Sequence, residues 1–301
     1  MWSAKSPNSS LRTWRNKVAV AIVTDSTSDL DPQRAAAAGV TVVPLFVVFG
    51  DTSYKDTVEL SRSEFYEKLA SERTLPITSQ PTAQMFEEAY APLVAAGDEI
   101  LCITISSFLS GTINAATAGA QRFPDATIHV YDSQTASGGL GMMVSRAAEL
   151  ARTGHTLAQI LGVLDNERRT QRLYACFTDL SHLQRTGRIG KAQAVVGTLM
   201  KIVPVLCLKD GQVVAEAQVR TFARAQETML DLAMKAVTDI SKARFSVIHT
   251  NAAQLASNAV EKLLARLGGV QPRMLETLEA GPVIATHGGP GAVGIFVAQD
   301  E

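Results

Sequence analysis

Apolar runs of strand length recur through the first half of the chain. Val18–Thr24 and Val40–Phe49 are the first two, and Glu99–Ile105 and Thr127–Tyr131 follow. Between them lie segments with helical spacing: Pro32–Ala38, Arg62–Ala70, Ala83–Val94, Ile113–Arg122 and Leu140–Arg152. Continuous apolar strands alternating with helices predict a parallel sheet covered on both faces. Ligands of such sheets sit beyond the carboxyl ends of the strands. The polar turns Asp25-Ser26-Thr27, Ser106-Ser107 and Asp132-Ser133 all fall there.

The second half has a different rhythm. Leu173–Phe177 reads as a strand. Val203–Leu208 and Gln212–Val219, joined through Asp210-Gly211, read as a hairpin. Thr221–Ser241 is a long helical pattern, Phe245–His249 a strand and Leu255–Leu267 a helix. Arg273–Leu278, Val283–Thr286 and Gly294–Ala298 read as short strands. The chain is therefore expected to be α/β with two domains. Residues 18–171 form a parallel-sheet, Rossmann-like domain, and residues 172–301 an α+β domain with a mainly antiparallel sheet. The cleft between them is the expected ligand site.

Residues 1–17 are polar and mixed, without the apolar core of a signal peptide, and read as a disordered tail. The apolar stretch from Ala35 to Gly50 is broken by Gly39 and Pro44 and is too short to span a bilayer. No integral membrane segment is expected. A net charge of −1 over 301 residues offers no electrostatic reason to bind nucleic acid. Cys102, Cys176 and Cys207 each lie in an apolar run and read as reduced core residues, which suggests a cytoplasmic setting. The five histidines show no metal-ligand spacing.

The most informative stretch is Ile103 to Thr112, an apolar strand ending in a hydroxyl-rich turn before a helix. Ser110 is placed to cap that helix, and Gly111 permits close approach to its first N–H groups, where a phosphate or carboxylate is favoured. Ser106, Ser107, Ser110 and Thr112 are more hydroxyls than a cap requires. Thr78-Ser79-Gln80-Pro81 predicts a rigid, non-helical segment bearing Thr78, because proline biases the residue before it to extended backbone. His287 opens the Gly-rich segment His287-Gly288-Gly289-Pro290-Gly291. Gly138-Gly139-Leu140-Gly141 lacks the glycine at position 144 that a dinucleotide fingerprint needs, so close helix packing is its expected role. Arg185 to Lys191 is a compact basic patch to which Arg220 adds; it reads as a solvated loop or a dock for a partner's phosphate or acidic surface.

These pieces, in this order, resemble the DegV family of bacterial fatty-acid-binding proteins. The matching motifs are Val23 to Leu30, Val43-Pro44-Leu45, Phe65-Tyr66, Thr78 to Pro81, Ile105 to Thr112, Asp132-Ser133, Leu183 to Ile189, Asp210-Gly211 and His287 to Gly291. The resemblance implies a two-domain fold holding one long-chain fatty acid (C16–C18) between the domains, with no catalysis and no cofactor. It implies that the carboxylate is held by Thr78, a serine of the turn (Ser110, with Ser107 as second choice), Gly111 and His287. It further implies presentation of the carboxylate to a fatty acid kinase that makes acyl phosphate for lipid synthesis, with Arg188 and Arg220 docking the partner. Ile113 departs from the aromatic residue common at that place in the family. Two other readings compete. One is a serine-dependent acyl hydrolase or transferase with Ser110 or Ser107 as nucleophile and His287 as base. The other is a phosphotransferase using the His287 segment, though no phosphate-binding fingerprint accompanies it.

Overall fold

The computed structural model of the chain describes residues 19–72, 74–194 and 202–300; the expected tail, residues 1–17, lies outside the described residues. The first half runs β1 (Val20–Asp25), α1 (Pro32–Ala38), β2 (Val40–Val43), β3 (Phe46–Phe49), β4 (Thr52–Lys55), α2 (Arg62–Ser71) and β5 (Ile77–Ser79). It continues with α3 (Ala83–Ala96), β6 (Glu99–Thr104), α4 (Thr112–Ala120), β7 (Ile128–Asp132), α5 (Gly138–Arg152) and α6 (Leu157–Thr170). Strands β2-β1-β6-β7 form a parallel sheet. Alternate residues of β6 feed two cores, as the period of a strand requires. Leu101 and Ile103 pack with Leu140, Met143 and Val144 of α5. Ile100 and Cys102 pack with Phe86 and Tyr90 of α3.

The second half runs β8 (Arg172–Cys176), α7 (Ser181–Arg185), β9 (Val203–Lys209), β10 (Gln212–Val219), α8 (Phe222–Lys235), β11 (Ala243–His249), α9 (Ala253–Leu267), β12 (Met274–Glu279), α10 (Pro282–Gly288) and β13 (Val293–Gln299). Its six strands lie in the order β10-β9-β8-β13-β11-β12, antiparallel except for β11 beside β12. The β9–β10 turn places Asp210 and Gly211 at φ 50° and 78°, the conformation Asp-Gly supplies in two-residue hairpins. Helices α8 and α9 cover one face through Met229, Leu230 and Leu263. On the other face, α5 presses against β11 and β13 by its glycines. A Cβ on Gly138 would fall 2.5 Å from Ser246 Oγ, and one on Gly139 would fall 2.6 Å from Phe296 Cδ2. The glycine run is thus a packing device, as its incomplete fingerprint predicts.

Several elements depart from the sequence expectation. Val40–Phe49 is two strands in different sheets, because Pro44 brings no N–H and interrupts the ladder. A three-stranded antiparallel sheet, β4-β3-β5, therefore appears where one buried strand was expected. Its outer strands are short and polar, so period-2 alternation never develops. Val283–Thr286 is helix, not strand: a short apolar run fits either, and Pro282 at the first helical position decides it. The helix expected to reach Ser241 stops at Lys235. α6, opened by the Thr156–Gln159 capping box, has no counterpart among the expected elements. The three cysteines are free and buried.

Candidate functional site

A cavity of about 360 Å³ lies between the carboxyl end of the parallel sheet and the α5-side face of the six-stranded sheet. Its floor is strand surface. Leu173 and Ala175 of β8 pair in register with Leu208 and Leu206 of β9, and all four line it. Leu45, Ile105, Leu109, Val283 and Ile284 complete the apolar wall. Ala175 and Leu173 are half-buried although β8 is an inner strand, because the cavity exposes them.

The hydrogen-bonding groups gather in one region. Thr78 lies in β5, opposite Val47 of β3, and its Oγ1 is 2.8 Å from Nε2 of His287. This contact joins the first half of the chain to the last turn of α10, so His287 ends a helix where a strand was expected before it. Burial pushes the His287 imidazole down to about 3, and the guanidinium groups of Arg188 and Arg185 and the ring of His182 act in the same direction. The ring is therefore neutral near pH 7, and its Nδ1 has no hydrogen-bond partner among the described residues.

Ser110 lines the same cavity. Its Oγ is 2.8 Å from Thr112 Oγ1 and accepts the Thr112 N–H at 3.3 Å. Gly111, not Ser110, occupies the N-cap position of α4, so Ser110 serves the first turn from one residue outside it. Gly111 lets the Gln80 side chain lie against the backbone: a Cβ there would meet the Gln80 side-chain oxygen and displace that flexible side chain. Gln80 lines the cavity beside it and was not singled out by sequence reasoning; its membership of the Thr78 motif was the available signal.

Ser107 is placed elsewhere. It is exposed, donates from Oγ to Asp132 Oδ2 at 2.6 Å, and does not line the cavity. Of Ser107 and Ser110, only Ser110 lines the cavity. Ser106 is buried and donates to Gly211 O at 2.7 Å, tying the turn to the β9–β10 hairpin. The basic segment is partly tied down: Arg185 and Lys191 are exposed, and Arg188 is half-buried. Arg185 donates to Pro76 O at 3.0 Å, while Arg188 lines the cavity and donates from Nε to Leu109 O at 3.3 Å. Arg220 is exposed beyond the end of β10 and does not line the cavity. Among the described residues no group of three potential metal ligands occurs, and no helix is long and apolar enough to cross a membrane.

The fold and site define an α/β protein with an apolar ligand cavity between two sheets and one polar end. The family model described as "Uncharacterised protein, DegV family" matches residues 19–300, and the chain belongs to the DegV family. A DegV domain-containing protein of Halalkalibacterium halodurans is 38% identical over 92% of this chain and 97% of its own length. Among solved structures, the fatty-acid-binding DegV family protein of Thermus thermophilus is 35% identical with a TM-score of 0.88, covering 94% of this chain and 100% of that one. DegV of Bacillus subtilis, described as a fatty acid binding protein, is 32% identical with a TM-score of 0.85, at coverages of 94% and 100%.

Proposed function

We propose that this chain binds one long-chain fatty acid in the cavity and presents its carboxylate to a fatty acid kinase, without catalysing a reaction itself. The observation that carries this reading is the segregation of the cavity: aliphatic walls, with Thr78, Ser110, His287 and Arg188 together at one end. A buried carboxylate needs hydrogen-bond donors because an unpaired charge in an apolar site is very costly. The Thr78–His287 pair leaves one donor for the ligand in either tautomer of the neutral ring, and the Ser110 hydroxyl and the Arg188 guanidinium add the others. The acyl chain gains about 0.8 kcal/mol per methylene moved out of water. The fatty acids bound by the relatives from Thermus thermophilus and Bacillus subtilis fit the same chemistry.

The side-chain pairing favours holding over hydrolysis. Ser110 is bonded to Thr112, whereas His287 is bonded to Thr78, so no serine–histidine pair is formed. An imidazole near 3 is also a poor general base at neutral pH.

Native mass spectrometry of the purified chain, followed by denaturation and organic extraction, tests the reading. One adduct per chain that extracts as a free C16–C18 acid is the expected result. A covalent acyl adduct surviving denaturation would indicate the serine enzyme, and a protein refusing added palmitate would overturn the proposal. Thr78→Ala, Ser110→Ala and His287→Ala are each expected to weaken palmitate binding by roughly tenfold or more, the size of a hydrogen bond to a charged group. Unchanged affinity in all three would remove the assignment.

The docking role divides by position. Arg188 stands at the cavity beside the carboxylate-holding groups, and Arg220 offers an exposed cation to the partner. Arg220→Ala is expected to leave palmitate retention intact and to slow ATP-dependent acyl phosphate formation by a cognate kinase. Equal rates for variant and parent protein would sink that role.

A further inference from the structure

α10 has seven residues, too few to be stable without external support. Its C-terminal turn must nonetheless hold His287 within hydrogen-bond reach of Thr78, an element of a different sheet. Two buried carboxylates from the first half of the chain meet its other end. The Gly281 N–H donates to Asp29 Oδ1 at 2.8 Å, and the Val283 N–H donates to Asp56 Oδ1 at 3.4 Å. The second oxygens of both are also engaged. Ser137 Oγ donates to Asp29 Oδ2 at 2.5 Å and Ser26 Oγ to Asp56 Oδ2 at 2.7 Å; Ser26 Oγ in turn accepts the Leu45 N–H at 3.0 Å. The contact is tight: a Cβ on Gly281 would lie 3.0 Å from Asp29 Oδ1.

We infer that Asp29 and Asp56 are positioning residues for ligand binding: they anchor the start of α10 to the first half of the chain and so aim His287 at the cavity. The inference rests on the reading of His287 as a carboxylate-holding group. Gly281 and His287 are six residues apart, so the anchor stands about 9 Å from the ring along the helix axis. Loss of the anchor frees the helix to tilt about its packed middle, where Val283 and Ala285 sit against Leu45, Val47 and Phe65. His287 is then displaced without any contact between Asp29 and ligand. Burial makes these carboxylates costly, pushing them up to about 6 and about 7. Such a cost is retained where a functional arrangement depends on it.

The test is a double-mutant cycle on the delipidated chain, reading palmitate affinity by displacement of a fluorescent fatty acid. Asp29→Ala is expected to weaken palmitate about fivefold. Asp29→Asn, whose Oδ1 still accepts the Gly281 N–H, is expected to stay within about twofold of the parent. In a His287→Ala background, Asp29→Ala is expected to cost nothing further, because the group it positions is gone. Parent-like affinity in Asp29→Ala, or the same fivefold loss with and without His287, would overturn the inference while His287→Ala alone remained weak. Parent-like affinity in His287→Ala would instead overturn the carboxylate reading, and the positioning role with it. If Asp29→Ala does not fold, Asp56→Ala, which frees the Val283 N–H, goes through the same cycle.

Discussion

Ala175→Phe is expected to weaken palmitate binding about 100-fold while changing decanoate binding far less. Ala175 lies on the cavity floor beside Leu173, which shares its face of β8 by the two-residue period of a strand, and Phe177, just past the end of β8, lines the cavity too. Phe177 marks the His287 end, since a Cβ on the adjacent Gly288 would lie 3.6 Å from its ring. The cross-strand neighbours of Ala175 are Leu206 on β9 and Gly294 on β13. In the proposed binding mode, a phenyl ring at position 175 would stand across the path of the acyl chain. Displacing about four methylenes forfeits about 3 kcal/mol at about 0.8 kcal/mol each. Affinities for a series of saturated acids check this. Equal weakening of palmitate and decanoate would place Ala175 off the path of the chain.

Asp56→Asn is expected to raise stability at pH 8 on the order of 3 kcal/mol and to leave it nearly unchanged at pH 4. Burial, opposed in part by the Ser26 hydroxyl and reinforced by the charge of Asp29, pushes Asp56 up to about 7 from an ordinary value of 3.8. The folded chain then binds this proton more tightly than the unfolded chain. Stability contributed at this site therefore falls as pH rises from about 4 through about 7, and the cost is complete above that. Asp25 and Asp29, raised to about 6 by burial, act in the same direction. His287 acts in the opposite direction: its folded value is depressed to about 3, so its contribution is intact above about 6.5 and lost as pH falls toward 3. The difference between parent and Asp56→Asn isolates the one group. Denaturant unfolding at pH 4, 6 and 8 measures it, and a difference independent of pH would show that Asp56 carries no such penalty.

Asp56 would thus weaken the fold while anchoring α10. Stability and ligand-binding geometry make opposite demands on one side chain, a conflict expected where a site is pre-organised by buried polar groups.

Local pattern specified the parallel core, the antiparallel second sheet and segments that line the cavity. Leu101 and Ile103 against Ile100 and Cys102 already encode two buried faces, because strand periodicity is local. Thr78, Ser110, Gly111 and His287 were legible through their motifs, since hydroxyls, glycine and histidine beside strand and helix ends carry recognisable chemistry. Tertiary structure decided which of these face one another. Ser110 and Ser107 are three residues apart and equally polar, yet one lines the cavity and the other pairs with Asp132. Arg188, expected to dock a partner, lines the cavity, and Gln80 does so as well. Val283–Thr286 became helix because Pro282 and two distant carboxylates organise its first turn. Periodicity and propensity act over a few residues, whereas the Thr78–His287 contact joins residues 209 apart in sequence. A contact of that kind exists only once both sheets have packed, and local pattern carries no record of it.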